Sequence, residues 1–306
     1  MIFNPLVIIL VSLVIPGIIT LTKAKIAGRK GPSVLQPFYD NIRLFRKGNV
    51  FSATTSWIFQ IAPIIHFSTV FMAVLFIPLG KQPAILSFEG DFVLFAYLLA
   101  FGKFMMIAAA MDTGSGFGGM GANREAFYSL LVEPAFFIVI ASMALLTNHT
   151  SFYDLFNNLH IESELSYLIA ILSVYIFLWI AMIENSRLPV DDPKTHLELT
   201  MVHEVMVLDY SGFDLAMIQL SNGLKFTIYG ALIFNLVLPM QNYFAAQLGI
   251  FFIVQFIFAV SVGVLESFKA RNKMAKNSQW ILALSALAIL GFLSVLIITG
   301  KIVLMN

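Results

Sequence analysis

One short polar stretch interrupts a chain that is otherwise largely apolar. The segment IENSRLPVDDPKTHLELTMVHE, residues 183–204, holds five of the seventeen Asp and Glu residues and two of the five histidines. Carboxylates and imidazoles placed this close together titrate as a coupled group, and histidine changes its charge near neutral pH. The residues in this stretch that could bind and release protons are Glu184, Asp191, Asp192, His196, Glu198, His203 and Glu204.

The two histidines could instead serve as metal ligands. Asp192 followed by Pro193 is typical of a helix start, so the spacing predicts that His196 and His203 share one helix face. They would be about 10.5 Å apart at 1.5 Å per residue, too far to bind one metal ion without other ligands. The sequence also lacks an HExxH motif. We therefore interpret the stretch as a titratable helix face in a wet cavity, with no metal site.

The composition indicates a membrane protein. Of the 306 residues, 59% are hydrophobic and 11% are charged, whereas soluble domains carry about a quarter charged residues. We expect a single membrane domain over residues 1–306, with the apolar N-terminus retained as its first span. The chain has no cysteine, so any iron-sulfur cluster must be bound by a partner. The net charge of +1 gives no support for nucleic-acid binding.

The hydropathy pattern predicts an all-α fold with about eight membrane-spanning helices. The predicted spans are 2–22, 57–79, 92–111, 127–147, 165–183, 223–240, 244–265 and 279–299, joined on one side by loops 23–56, 112–126, 184–222 and 266–278. Within the first of these loops, Phe38, Ile42 and Phe45 recur at helical spacing among basic residues. This pattern predicts an amphipathic helix on the membrane surface, which serves either as a simple anchor or as a wall of a lipid-side entrance.

The basic residues set the predicted orientation. Those between the spans lie almost entirely in the odd-numbered loops, while the even-numbered loops contain only Lys81. By the positive-inside rule, the odd-numbered loops are cytoplasmic and both termini lie outside.

Three further ionisable residues lie within the predicted spans. A charge in hydrocarbon costs at least about 2.5 kcal/mol, so such residues usually face protein or water. We interpret Lys103 and Glu133 as functional rather than as a merely structural ion pair, because apolar packing could replace such a pair at little cost. Lys225 is interpreted as reaching out to the membrane surface.

A glycine-rich stretch, MDTGSGFGGMGANREAF (residues 111–127), precedes the span that carries Glu133. It lacks GxxxxGK[ST], so the phosphate-binding signal is weak, and it is predicted to be a tight re-entrant connector. Arg124 begins the following helix, which places Glu133 about 13.5 Å further into the membrane at 1.5 Å per residue.

Several motifs occur together along the chain. Residues 29–40 read RKGPSVLQPFYD, Arg124 precedes Glu133 by nine residues, residues 184–191 read ENSRLPVD, and residues 209–212 read DYSG. This set resembles the membrane-anchor subunit shared by respiratory complex I and the membrane-bound nickel-iron hydrogenases, including formate hydrogenlyase subunit 4. Lys194 and His196 stand where complex I typically has glutamates, while Glu198 retains one. The chain is therefore more similar to the branch of hydrogenase-4 component C and formate hydrogenlyase.

The resemblance implies a non-catalytic subunit of an oxidoreductase complex in a bacterial or archaeal cytoplasmic membrane. It would anchor a soluble arm made of an iron-sulfur small subunit and a hydrogenase-like large subunit, beside antiporter-like membrane subunits. The cofactors, iron-sulfur clusters and a nickel-iron centre, would belong to the partners. The residues implied in docking the arm are Arg29, Lys30, Arg124, Arg187 and Asp209.

The implied mechanism is electrostatic coupling of electron transfer to proton or sodium translocation. The carboxylates would run from Asp191, Glu198 and Glu184 inward to Glu133, and their protonation would be mutually dependent. Lys103, Asp192, His196, His203 and Glu204 are further candidates for this coupling.

Two other functions stay open at this point. One is the quinone-site subunit of a complex I-type dehydrogenase. The other is an autonomous ion-coupled transporter whose pathway is lined by Glu133, Glu184 and Lys103.

Overall fold

The computed structural model describes residues 3–159, 164–191, 201–237 and 244–299. These ranges contain twelve α-helices, and the prediction of an all-α membrane protein is confirmed. In chain order the helices are α1 (Phe3–Ser12), α2 (Ile15–Ile26), α3 (Gln36–Phe45), α4 (Trp57–Val74), α5 (Asp91–Asp112), α6 (Gly116–Thr147), α7 (Phe152–Asn157), α8 (Glu164–Glu184), α9 (His203–Val207), α10 (Gly212–Val237), α11 (Phe244–Phe268) and α12 (Met274–Ile298).

Within the described ranges, seven stretches are long and apolar enough to cross a membrane, against the eight predicted. They are α1 with α2, then α4, α5, α6, α8, α11 and α12. The remaining predicted span corresponds to α10, whose 26 residues are about 39 Å long and exceed the roughly 30 Å of a bilayer core. Asn222, Lys225 and Asn235 lower its hydropathy. Its length suits a span, but its composition does not suit contact with lipid.

Helix α10 can be this polar because other helices surround it. Every residue from Gly223 to Leu236 is buried, and the helix packs against α1, α3, α4, α8 and α11. A helix buried on all sides is typical of a protein interior. The first span breaks beside it, where α1 ends at Ser12 and Pro16 cannot donate a hydrogen bond back to the Ser12 carbonyl. Gly223 packs against that carbonyl, and a Cβ atom there would lie 2.8 Å from the oxygen.

Several predicted boundaries were wrong. The second span ends at Val74 rather than 79, the sixth begins at Gly212 rather than 223, and the eighth begins at Met274 rather than 279. The predicted loop 266–278 is accordingly reduced to residues 269–273. At the starts of α10 and α12, polar and glycine residues hid the helical pattern, which burial against other helices stabilises. The predicted second span was too long because apolar residues continue beyond the end of α4.

The largest correction concerns the glycine-rich stretch, which is not a re-entrant connector. Helix α6 begins at Gly116 and continues for 32 residues, starting with an N-cap at Ser115 whose hydroxyl accepts a bond from Gly118 N–H. Gly121 lies against the carbonyl of Val202, where a Cβ atom would come within 2.7 Å of the oxygen. Close packing against residues 201–207 therefore requires the small residue, and it outweighs the low helix propensity of glycine.

The predicted amphipathic helix is present as α3, and the basic connections gather at one end of the bundle. The hydrogen bonds that join them run from Val50 N–H to Ser211 Oγ (3.0 Å), from Ser56 N–H to Asp112 Oδ2 (2.7 Å) and from Asn272 N–H to the Pro189 carbonyl (3.0 Å). At the other end, Asn4 and Asn235 bond residues of the connection between α4 and α5. We call the end at which the basic connections gather the basic end. Its location on the cytoplasmic side stays a prediction.

Tyr210 holds the basic end onto α4. Pro63 inside α4 has no N–H for the carbonyl of Phe59, four residues earlier. The Tyr210 hydroxyl donates to that carbonyl at 3.1 Å, and its ring stacks on Phe59 with centroids 4.1 Å apart. Burial, with smaller contributions from nearby aspartates, raises the pKa of Tyr210, so the hydroxyl keeps its proton and remains a donor.

We expect Tyr210→Phe to lower the apparent melting temperature of the detergent-solubilised protein by a few degrees. The change leaves the Phe59 carbonyl buried without a donor, which costs about 1–3 kcal/mol. Tyr97→Phe is the matched control, because Tyr97 is exposed. Equal melting temperatures for the two variants would show that the bond contributes nothing measurable.

Candidate functional site: a buried charge cluster

Lys103 lies between two carboxylates in the interior of the helix bundle. Its Nζ is 2.8 Å from Glu184 Oε2 and 3.3 Å from Glu125 Oε1, and all three side chains are at most 10% exposed. Helices α5, α6 and α8 each supply one of the residues. We call Lys103, Glu125 and Glu184 the buried triad. With both carboxylates ionised it carries a net charge of −1, so the two acids share one counter-ion and their protonation is coupled.

Glu125 is the member of the buried triad that the sequence did not single out. Its neighbour Arg124 was selected on the family spacing, whereas Glu125 belongs to none of the motifs identified in the sequence. The extension of α6 back to Gly116 turns its side chain into the bundle, where Ser186 Oγ donates to Glu125 Oε2 at 3.2 Å. Glu125 could have been identified from the sequence only if the glycine-rich stretch had been predicted to be helical.

Glu133 does not pair with Lys103. It lies eight residues beyond Glu125 on α6 and is exposed on the outer face of this chain. In the described part of the chain, no basic side chain approaches its carboxylate within 4 Å. Glu133 lines a cavity of about 50 Å³ together with Lys103, Glu184 and mostly apolar neighbours. We call this the Glu133 cavity, and two members of the buried triad form part of its wall.

A second cavity adjoins the buried triad through Ser186. It measures about 210 Å³, and its polar wall includes Asn41, Asn185, Ser186, Arg187, His203 and Glu204. We call it the polar cavity. Because Ser186 also donates to Glu125, one side chain connects the polar cavity with the buried triad. His203 Nε2 is buried there without a hydrogen-bond partner among the described residues.

Lys225 corrects a prediction. It does not reach the membrane surface: the residue is 3% exposed, because the surrounding helices cover α10 on every side. Within the described residues, no carboxylate lies within 4 Å of its Nζ. It is nevertheless close enough to Lys103, Glu184 and Glu125 to interact with their charges. The bundle interior therefore holds a second lysine next to the buried triad.

Asp191 anchors the polar segment of the basic end. Its carboxylate is completely buried, accepts hydrogen bonds from the backbone N–H groups of Val202 and His203, both at 3.0 Å, and pairs with Arg271 at 2.9 Å. It thus fixes the two ends of the stretch that contains Asp192, His196 and Glu198. Those three candidates lie outside the described residues.

Glu266 forms a further buried ion cluster that was not predicted from the sequence. Its side chain is fully buried between Lys23, at 2.7 Å, and Arg187, at 3.4 Å, and the Arg187 guanidinium lies 5.2 Å from the centroid of Phe226. Glu266 had been placed at the start of a loop, whereas it belongs to the last turn of α11.

The residues predicted to dock a partner differ in their surroundings. Arg29, Lys30 and Asp209 are exposed at the basic end. Arg124 donates to the Met201 carbonyl at 2.9 Å, so it helps to hold residues 201–207 against α6. The Arg187 side chain is 16% exposed. Among the described residues, no group of three His, Asp or Glu side chains is arranged to hold a metal ion.

Comparison with known proteins places this arrangement in a family. The family model described as NADH dehydrogenase matches residues 1–298. The chain belongs to this family. Its relatives include hydrogenase-4 component C of Escherichia coli, 28% identical over 76% of this chain and 73% of that protein. Formate hydrogenlyase subunit 4 of the same organism is 26% identical over 89% of this chain and 88% of the relative.

A solved structure confirms the fold of this family member. The chain matches a subunit of the membrane-bound sulfane sulfur reductase, an archaeal respiratory membrane complex, with a TM-score of 0.78 and 20% identity. The match covers 96% of this chain and 99% of the other. The resemblance inferred from the sequence is thus confirmed. The chain is an integral membrane subunit of the kind found in oxidoreductase complexes.

Proposed function

We propose that this chain is the membrane subunit of a group 4 energy-converting nickel-iron hydrogenase or a formate hydrogenlyase-like complex. There it anchors the soluble redox arm and couples electron transfer to the translocation of protons or sodium ions. The observation that carries the proposal is the contact of the buried triad with two cavities. Ser186 connects Glu125 to the polar cavity, and Lys103 with Glu184 forms part of the wall of the Glu133 cavity.

The coupling follows from the charges. Two carboxylates that share one lysine cannot change their protonation independently, so a charge arriving near one of them alters proton binding at the other. A change in the redox arm would act at the polar cavity, next to His203 and Glu204. The buried triad transmits the effect to Glu133, about 12 Å further along α6 than Glu125 at 1.5 Å per residue.

The same geometry supports the proposed partners. The exposed residues Arg29, Lys30 and Asp209 would face the iron-sulfur small subunit and the large subunit at the basic end, which we place in the cytoplasm. Arg124 would stabilise that interface through its bond to the Met201 carbonyl, and Arg187 through its ion pair with Glu266. An exposed carboxylate at membrane depth is costly in lipid, so the face that bears Glu133 suits contact with an antiporter-like membrane subunit.

Purification from native membranes tests the assignment. A tagged chain is expected to travel with iron-sulfur and antiporter-like proteins and with an activity that needs no quinone. Quinone-dependent activity of the isolated assembly would instead favour the complex I-type subunit, which the family match also allows. Recovery of the chain alone, with ion uptake in liposomes, would favour an autonomous transporter.

We expect Glu133→Gln to leave the complex assembled while reducing ion movement per electron by about tenfold or more, because a positioned proton carrier typically contributes at least that factor. Proteoliposomes with a pH- or sodium-sensitive dye, assayed alongside redox turnover, measure the ratio. Glu89→Gln is the matched control, since Glu89 is exposed in the connection between α4 and α5. An unchanged ratio for Glu133→Gln would remove Glu133 from the coupling.

A further inference from the structure

Another cavity lies between α6 and α12, near the basic end. It measures about 250 Å³, and at about 30 Å³ per water molecule it has room for about eight of them, or for a phosphate group. The described residues that line it are Asn123, Arg124, Phe127, Tyr128, Met274 and Ser278. We call it the Arg124 cavity. It is positively charged, because arginine is the only ionised side chain in this set.

Two hydrogen bonds orient the Arg124 guanidinium without using all of it. One N–H donates to the Met201 carbonyl at 2.9 Å, and another donates to the Met120 sulfur. A guanidinium has five N–H donors in one plane, an arrangement that matches two oxygens of a phosphate group. The remaining donors can therefore bind an anion in the cavity, and the side chain is already ordered before the anion arrives.

The walls beside Arg124 add neutral hydrogen-bond donors and no negative charge. Asn123 contributes an amide and Ser278 a hydroxyl, and both groups can donate to phosphate oxygens. The adjacent carboxylate, Glu125, belongs to the buried triad and is not among the residues that line the cavity. The set of donors thus favours an anionic ligand.

The Arg124 cavity lies at the level of the lipid headgroups. The apolar span of α12 covers Lys276–Ile297, so Ser278 stands at the edge of the bilayer core. Two exposed lysines, Lys273 and Lys276, lie at the start of the same helix. Lysines in this position attract the anionic phospholipids of a cytoplasmic leaflet.

Exposed apolar residues continue from the cavity along both helices, away from the basic end. On α6, Phe127 and Leu130 follow Asn123 at helical spacing and are 49% and 67% exposed. On α12, Leu282 follows Ser278 by four residues and is 52% exposed. A phospholipid has the same order of an anionic head followed by apolar chains. An acidic side chain of a soluble partner would make no use of these apolar faces.

We propose that the Arg124 cavity binds the headgroup of an anionic phospholipid. The guanidinium binds the phosphate, Asn123 and Ser278 donate further hydrogen bonds to it, and the acyl chains lie along the exposed faces of α6 and α12. Because Arg124 also bonds Met201, the bound lipid stabilises residues 201–207, which contribute His203 and Glu204 to the polar cavity.

This lipid site is separate from the surface proposed to contact an antiporter-like subunit. The described residues that line the Glu133 cavity come from α5, α6, α8 and α10, and none of them belongs to α12. The proposal therefore holds or fails independently of the proposed function.

The test measures the melting temperature of the purified full chain in a neutral detergent. The probes are dioctanoyl phosphatidylglycerol, dioctanoyl phosphatidylcholine and inorganic phosphate. Phosphatidylglycerol is expected to raise the melting temperature in a concentration-dependent manner, since a ligand that binds only the folded protein stabilises it. Phosphatidylcholine should do so much less, because its choline cation is repelled by Arg124, Lys273 and Lys276. Inorganic phosphate lacks the acyl chains and should have little effect.

Two variants locate the binding. Arg124→Gln is expected to need an about tenfold or higher concentration of phosphatidylglycerol for the same shift, because it loses charge-assisted hydrogen bonds. Ser278→Leu places an apolar side chain in the cavity, keeps the bond between Arg124 and Met201, and should weaken binding to a similar extent. Arg46→Gln is the matched control, since Arg46 is an exposed arginine at the end of α3, and it should respond like the parent.

Several results would overturn the proposal. They are a phosphatidylglycerol shift that persists in Ser278→Leu, an equal loss in Arg46→Gln, an equal shift with phosphatidylcholine, and no shift with any probe. An equal shift with inorganic phosphate would also contradict it, by assigning the cavity to a free anion. If Arg124→Gln does not fold, Ser278→Leu decides alone, because Ser278 is partly exposed and its replacement leaves the Arg124 bonds in place.

Discussion

The ion pairs of Lys103 with Glu125 and Glu184 are the interaction on which the rest of the site depends. A lone charge in the bundle interior would carry a desolvation cost of several kcal/mol, and the opposite charges around the lysine offset that cost. The three residues come from three helices, so the ion pairs also fix how α5, α6 and α8 lie against one another. Removal of one partner would leave an uncompensated charge, and for this reason the cluster can respond to changes in charge nearby.

The surrounding structure encloses the buried triad and connects it to the polar cavity and to the Glu133 cavity. Helix α10 is polar where it passes through the centre of the bundle, and the helices around it shield Lys225 and Asn235 from lipid. At the basic end, the buried carboxylates of Asp191 and Glu266 pair with Arg271, Lys23 and Arg187. These pairs hold residues 185–191 and 201–207 over the bundle. Arg187, one of these paired residues, also lines the polar cavity.

Much of the fold could be predicted from the sequence, because lipid imposes long apolar helices that are read directly from hydropathy. The family could be predicted from RKGP, ENSRLPVD, DYSG and the spacing of Arg124 and Glu133. The glycine-rich start of α6 could not be predicted, since Gly121 is explained only by its contact with Val202. Lys225 was misinterpreted for a related reason: burial depends on neighbours that a single helix does not reveal. The roles of Glu125 and Glu266 could not be predicted, because each depends on side chains from several packed helices.

The central claim is that the buried triad transmits charge between the polar cavity and Glu133. A charge-matched double variant, Lys103→Met with Glu125→Gln, keeps the formal net charge of the group at −1 while removing both ion pairs of Lys103. Lys25→Met with Glu89→Gln is its exposed control. The measurement is the number of ions moved per electron by the intact complex in sealed proteoliposomes. We predict that redox turnover continues while ion movement falls close to background. Ion movement per electron equal to that of the parent complex would contradict the account.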